Sequence, residues 1–303
     1  MNQIENIIEF QDKFNCEEAC WEYLVNHRWP NGFVCPRCKC HEAWFIQTRE
    51  LFQCQSCRYQ GSVTAGTIFH KTRTPLRKWF WAIYFVSRHK KSISANQLKK
   101  DLMVRYDVAW SMLHRIRSAL NDPEGKYKLV GLIEADEAYV GGKAHGKTGR
   151  GAEKKAIVEI AVENRDKYAG RAKMKVVENA SKEALTPLIE QEVKTESTVR
   201  TDSWQGYNDV ESKGYKHEKV IMSSKKDQSK VLPWVHTTIG NLKNWLRGTF
   251  GHVSSKHLQY YLDEYCYRLN RRWREKELFG FTIKRCLQSK PLYYKVLTAE
   301  LSV

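Results

Sequence analysis

No apolar run in the 303 residues approaches the ~18 needed to cross a bilayer, so a membrane-spanning helix is not expected. The opening residues, Met1-Asn2-Gln3-Ile4-Glu5, are polar and acidic, unlike the start of a secretory signal. Internal repeats and low-complexity stretches are also missing, which leaves an ordinary globular chain. Acid is scarce relative to base, with 34 Asp and Glu against 51 Lys and Arg and a formal charge of +17. It is missing altogether from residues 233–250.

The base is concentrated. Residues 1–70 carry six Lys and Arg against eight Asp and Glu, a net of −2, whereas residues 71–120 carry twelve against two, a net of +10. Residues 121–303 supply the remaining +9. A near-neutral module, a strongly basic segment and a moderately basic body point to a polyanion, with nucleic acid favoured. A hydrophobic content of 42% in a chain of this length suits one large core or two to three small ones.

Four of the nine cysteines have a pattern. Cys35-Pro36-Arg37-Cys38 and, fifteen residues on, Cys54-Gln55-Ser56-Cys57 place two thiolate pairs on tight turns, the spacing of a four-sulfur Zn²⁺ ribbon. Gly32 and Pro36 beside the first pair fit a knuckle turn, and residues 43–52 fit the joining hairpin. Cys40 and His41 are nearby alternative ligands. Cys16, Cys20, Cys40, Cys266 and Cys286 read as small buried hydrophobes rather than ligands. Cysteines given to metal rather than to disulfides imply a reducing, cytoplasmic setting.

Residues 10–28 read as one amphipathic helix with Asn15 as a candidate N-cap. The ribbon spans about 29–70, and Pro75 opens a helix over 76–88 rich in aromatic residues. Ser94 caps a short helix with Leu98 and Leu102 inward, and Met103-Val104 breaks it. A second helix over 106–120 turns Val108, Ala109, Met112, Leu113 and Ile116 inward and leaves Arg105, Trp110, His114, Arg115 and Arg117 for other faces. This is helix-turn-helix geometry; an ordinary helical hairpin is the alternative. The polar breaker at 121–125 marks a boundary. Beyond it, strand-like runs at 127–140, 155–163 and 170–178 form a meander. A helix at 181–193, short strands at 198–201 and 218–221, and helices at 233–246 and 257–274 come after them. The expectation is an α/β domain with a mixed five-stranded sheet. Three domains result: 1–70, 71–122 and 123–303.

Within that domain, residues 129–140 read LVGLIEADEAYV. Period-two alternation places Leu132, Glu134, Asp136 and Ala138 on one face and Ile133, Ala135, Glu137 and Tyr139 on the other. A strand this apolar is central, so Asp136 or Glu137 needs compensation, by a divalent metal or by a buried lysine. Asp202 ends the strand at 198–201, as an N-cap or as a second ligand. Carboxylates at the ends of adjacent strands can share Mg²⁺ (or Mn²⁺), and a two-metal site promotes in-line phosphoryl displacement. A third ligand on the acid-free helix at 233–250 would come from His236, Asn241, Lys243 or Asn244.

These segments together resemble insertion-sequence transposases of the ISXO type. The likeness runs through Glu17-Glu18-Ala19-Cys20 to Arg28-Trp29-Pro30-Asn31-Gly32, Cys35 to Cys38, and Ile133-Glu134-Ala135-Asp136-Glu137-Ala138-Tyr139-Val140-Gly141-Gly142-Lys143. It continues through Thr201-Asp202-Ser203-Trp204-Gln205-Gly206-Tyr207 and Asn241-Leu242-Lys243-Asn244-Trp245-Leu246-Arg247-Gly248-Thr249-Phe250. The resemblance implies an RNase H-like catalytic domain holding Mg²⁺ (or Mn²⁺) through an acidic triad, with Asp136 first and Asp202 second. Asn241 with Lys243 fits the third position of some members, whereas an alignment on Gly248-Thr249 puts His236 there, seven residues before Lys243. Lys243 would contact a phosphate near the scissile bond, and Asn270-Arg271-Arg272 would contact the backbone.

The expected protein is therefore a DNA transposase. Its ribbon and helix-turn-helix bind terminal inverted repeats of double-stranded DNA, and its catalytic domain cleaves and joins strands into a target. Recombination at two ends implies a homodimer or larger complex. The competing expectations are a sequence-specific DNA-binding regulator without catalysis and a metal-dependent nuclease without joining.

Overall fold

The computed structural model describes residues 4–121, 127–141, 155–220 and 231–299. Most of the boundary segment at 121–125, together with Gly142, Lys143 and Ile221, lies outside the described residues. The chain divides into two compact units, residues 1–120 with 273–303 and residues 121–272.

The first unit begins with two helices where the sequence suggests one. Helix α1 (Ile7–Lys13) is capped by Asn6, whose side chain accepts from the Glu9 amide at 2.9 Å. The chain leaves helical geometry at Phe14, and α2 (Glu17–Arg28) starts after an extended Cys16; Asn15 caps nothing. The break allows Phe10 and Phe14 both to be buried, each with its ring about Phe279, at centroid distances of 5.4 and 5.5 Å. Strands β1 (Ala43–Ile46), β2 (Leu51–Cys54) and β3 (Gln60–Gly61) form a small antiparallel sheet, β1-β2-β3.

Helix α3 (Leu76–Arg88) starts after Pro75, which offers no side-chain cap. Its first amides are met instead by Glu17, whose carboxylate accepts from Leu76 at 2.7 Å and Arg77 at 2.9 Å. Helix α4 (Ala95–Leu102) is capped by Ser94, with the Gln97 amide 3.2 Å from its hydroxyl. Met103 comes next in the left-handed region (φ +49) and α5 (Tyr106–Leu120) begins three residues later, completing a helix-turn-helix arrangement.

Helix α5 is more enclosed than its sequence implies. His114 and Arg117 are buried, and Arg115 donates to the His70 carbonyl at 3.1 Å while lying over the Trp79 ring. The cause is a third packing partner. The helix Leu278–Gln288 lies against α2, α3 and α5, and covers a face that a two-helix reading leaves to solvent. Residues 273–303, expected to close the catalytic domain, thus belong with the first unit. Arg105 and Tyr106 at the start of α5 are exposed, as are Lys90, Lys91, Lys99 and Lys100.

The second unit is a five-stranded mixed sheet. Strands β4 (Leu132–Val140), β5 (Ala156–Asn164), β6 (Ala169–Val177), β7 (Thr198–Asp202) and β8 (Lys216–Val220) lie in the order β6-β5-β4-β7-β8. The first three are antiparallel, whereas β7 runs parallel to both β4 and β8. Helix α6 (Lys182–Glu192) covers one face, burying Leu185, Leu188 and Ile189 with Ile133, Ala135 and Val199. Helices α7 (Pro233–Phe250) and α8 (Ser255–Leu269) cover the other, where Val235, Leu242, Leu258 and Leu262 meet Ala138, Val158 and Ile160. Among the described residues no helix is long and apolar enough to cross a membrane.

One group in this unit has a pH consequence. Burial pushes Asp263 on α8 up from 3.8 to about 7, against the pull of the Gln259 amide and Lys173. A carboxyl raised in this way stabilises fully below its unfolded value and loses that contribution as pH rises through about 7. Asp263→Asn is therefore expected to raise the thermal midpoint relative to wild type more at pH 8 than at pH 5. Equal shifts at both pH values in thermal unfolding would show that Asp263 is ionised throughout.

Candidate active site and metal centre

The four ribbon cysteines converge. Sγ of Cys35 and Cys57 are 3.6 Å apart, those of Cys38 and Cys54 are 3.5 Å apart, and all four lie within 4.8 Å of one another. A tetrahedron with Zn–S bonds of about 2.3 Å has edges of about 3.8 Å, whereas a disulfide requires about 2.05 Å. The spacing is that of a metal quartet. Both knuckles close through the backbone, Lys39 N donating to Cys35 O at 3.0 Å and Arg58 N to Cys54 O at 3.1 Å. Lys39 and Arg58 sit in the left-handed region, at φ +65 and +59. Cys40 accepts from its neighbour Glu42, and neither it nor His41 joins the quartet.

In the second unit the β4–β7 pairing fixes the carboxylates. The parallel ladder runs from Leu132↔Thr198 to Glu134↔Arg200 and then stops. Asp136 and Asp202 each lie two residues beyond the last pair, so they are level on neighbouring strands and face the same side. Both anchor one oxygen locally: Asp136 Oδ1 accepts from Glu137 N at 2.8 Å and Asp202 Oδ1 from Trp204 N at 3.0 Å. Asp202 thus caps the turn after its strand, the first of its two expected roles.

The residues after Asp202 explain their own pattern. Trp204 Nε1 donates to the Ala180 carbonyl at 2.9 Å, and a Cβ on Gly206 would come within 2.8 Å of Leu185. Only glycine lets this turn approach α6 so closely. Tyr207 is fully enclosed beneath it; burial, then Glu159, Glu137, Asp136 and Asp202, push its phenol well above the ordinary range. Glu159, paired with Glu137 across β4–β5, is also pushed well up by burial and by Glu137, with Lys175 opposing.

Helix α7 brings His236 to Asp136. His236 Nδ1 is 3.4 Å from Asp136 Oδ2, and its Nε2 is buried with no hydrogen-bond partner. Burial holds the imidazole below its ordinary value, with Asp202 pulling the other way. Lys243, seven residues on, falls within about 20° of His236 round the helix. Burial and Lys155 lower its pKa while Asp136 raises it, which places the ammonium in the field of the same carboxylate. Asn241 is turned about 140° from His236 and is exposed. Lys243 is exposed as Asn241 is, and of the three it is His236 that contacts Asp136.

These side chains suit a divalent cation. Two carboxylates and an imidazole with an orphaned buried nitrogen form an oxygen-rich set that leaves coordination positions for water and substrate. The cysteine quartet remains the one group, among the described residues, whose ligand atoms all fall within 4.8 Å.

Sequence reasoning missed one participant. Glu134 is fully buried, yet the compensation sought for Asp136 and Glu137 was not sought for it. Two signs were available: it shares Asp136's face by alternation, and Leu232-Pro233 opens α7 without a capping side chain.

The sheet order and the paired carboxylates at its opening define an RNase H-like domain, here joined in one chain to a zinc ribbon and a helix-turn-helix. Residues 128–270 match the ISXO2-like transposase domain and residues 15–60 the transposase zinc-ribbon domain, together more than half of the chain. The chain thus carries an ISXO2-like transposase domain preceded by a transposase zinc ribbon. It is 27% identical over 216 residues to an uncharacterized protein in transposable element ISH50 of Halobacterium salinarum, covering 65% of this chain and 71% of that protein. A pre-cleavage Mos1 transpososome aligns with 71% of this chain and 78% of its own at 12% identity and a TM-score of 0.30. The Mos1 strand transfer complex aligns with 69% and 74% at 12% identity and the same score. At scores this low the two alignments carry no weight of their own.

Proposed function

We propose that this protein binds the terminal inverted repeats of a mobile element and catalyses metal-dependent strand cleavage and strand transfer. The observation that carries the reading is the level placement of Asp136 and Asp202 where the β4–β7 ladder opens, with His236 3.4 Å from Asp136. Asp136, Asp202 and His236 would hold Mg²⁺ or Mn²⁺. When bound, the ions supply an activated water or 3′-hydroxyl and neutralise charge on the transferring phosphate. Imidazole in the set favours Mn²⁺ over Mg²⁺. Lys243 would bind a phosphate oxygen beside the reacting group, as a point charge.

End recognition falls to the first unit. Arg105 and Tyr106 open the second helix of the helix-turn-helix, the part that reaches base edges in this class of motif. Lys90, Lys91, Lys99 and Lys100 would track phosphates. The working complex, which must hold two ends, would be a dimer or larger.

The test incubates the protein with a labelled transposon end, a target plasmid and either metal. Joined product supports the proposal, cleavage without joining supports a nuclease, and specific binding alone supports a regulator. The same assay separates the candidates on α7. His236→Ala is expected to cost about a hundredfold or more in cleavage rate, on the scale of losing a metal ligand or its support. Asn241→Ala should remain within about threefold, as exposed substitutions do. The reverse ranking would restore Asn241 to the triad.

A further inference from the structure

Glu134 lies on the same face of β4 as Asp136, two residues earlier, and is 0% exposed. Its carboxylate is spoken for by three donors. Oε2 accepts from the backbone amides of Trp234 and Val235, each at 2.8 Å, and Oε1 from Asn164 Nδ2 at 2.7 Å. Trp234 and Val235 are the second and third residues of α7, and Leu232 before them provides no acceptor. The first turn of any helix leaves amides without partners inside the helix. Here a carboxylate from 100 residues earlier in the chain meets two of them. Burial pushes the Glu134 carboxyl above its ordinary value, and the Val235 and Trp234 amides at the positive start of the helix, with Asn164, pull it back only in part.

The placement matters because of the residues next along each element. One residue past the clasp on α7 is His236, and two residues past it on β4 is Asp136. The clasp therefore sets the register of helix against strand at the point where the two proposed ligands must face each other. Trp234 Nε1 also donates to the Asp166 carbonyl at 3.2 Å, beyond the end of β5, but between α7 and β4 themselves Val235 and Leu242 sit with Ala138 in one apolar cluster. Apolar packing tolerates small sliding that a bidentate anchor does not.

We infer that Glu134 is a positioning residue, which clamps the start of α7 to β4 and holds His236 against Asp136. The inference rests on reading Asp136, Asp202 and His236 as the catalytic metal site. It makes a distinctive demand on bonding polarity. Glu134→Gln keeps the shape and can still accept from both α7 amides, but then points its own NH₂ at the Asn164 NH₂. Asn164 cannot turn round without losing the bond its Oδ1 accepts from Asp166 N, at 2.8 Å. Adding Asn164→Asp supplies an acceptor on both sides and restores every bond.

The experiment is a Mn²⁺ titration of the zinc-loaded full chain, read by electron paramagnetic resonance and repeated with DNA cleavage. Thermal unfolding and end binding serve as controls for folding. Glu134→Gln is expected to weaken Mn²⁺ binding about tenfold and Glu134→Ala up to about a hundredfold, the range seen when support of a metal ligand is removed. Glu134→Gln with Asn164→Asp should recover most of the loss in both readouts. A residue that merely stabilised the fold would lower the thermal midpoint and leave the Mn²⁺ affinity of folded molecules unchanged. That result, or a double variant as weak as Glu134→Gln, overturns the inference. If Glu134→Gln melts below the assay temperature, the double variant alone decides: recovery of Mn²⁺ binding supports the clasp and failure rejects it. Mn²⁺ binding that survives Asp136→Asn would instead overturn the metal-site reading itself, and the clasp with it.

Discussion

Asp136→Asn is expected to reduce strand cleavage at least about a thousandfold while leaving transposon-end binding within about tenfold of wild type. The substitution keeps size and the hydrogen bond that Oδ1 accepts from Glu137 N, so the local backbone has no reason to move. What it removes is the negative charge that faces His236 and attracts Lys243. Neutral amide oxygen is a weak ligand for a hard cation, and a cation held loosely cannot polarise a phosphate oxygen. End binding is spared because the exposed basic residues proposed to hold DNA belong to the first unit. Asp202→Asn should behave the same way, since its Oδ1 bond to Trp204 N is likewise one an amide can make. Rate constants from single-turnover cleavage, measured beside fluorescence anisotropy for binding, separate the two effects. Cleavage that persists in Asp136→Asn would move the active site elsewhere.

Removing zinc is expected to have the opposite signature. Chelation, or Cys54→Ser, should weaken end binding by about a hundredfold or more while the thermal transition of the second unit stays in place. The ribbon sheet has strands of four, four and two residues, too little to stand as an independent core. Its aromatic cluster, Phe52 against Trp29, Phe33 and Phe45, is half-exposed rather than sealed. A structural zinc contributes about 10–16 kcal/mol to such modules, far more than those contacts can replace. Metal content by atomic emission, thermal unfolding and binding at fixed salt form the measurement, because phosphate contacts make affinity salt-dependent. An apo protein that binds ends as well as the zinc form would relieve the ribbon of any part in recognition.

Periodic features were legible in the sequence, and features set by distant partners were not. Alternation along residues 129–140 located β4 and its two faces, and the cysteine spacing located the quartet, because both patterns are local. Ser94 announced α4 for the same reason. The third side chain of the active site was ambiguous because α7 contains no acid, and composition cannot say which face of a helix meets a strand. Only the contact of His236 with Asp136 separates it from Asn241. The burial of His114 and Arg117 escaped notice because the helix covering α5 comes from residues 278–288, far along the chain. Glu17 looks like a surface acid in its own segment, and Glu134 is overshadowed by Asp136 and Glu137 in the same apolar strand. Each is a cap for a helix that begins with or just after proline and lacks one of its own.

The joining of residues 273–303 to residues 1–120 gives the chain a built-in order of completion. The unit proposed to grip DNA begins first and finishes last, with the whole cutting unit inserted into its sequence. At ribosomal speeds of about 5–20 residues per second, the insert takes roughly 8–30 s to emerge. Throughout that interval Phe10, Phe14 and Phe80 lack Phe279, the ring about which they pack. A product terminated within the insert would carry neither a finished grip nor a finished blade. Such fragments would be poor competitors for the ends, and the grip would become competent only in molecules that already possess the means to cut.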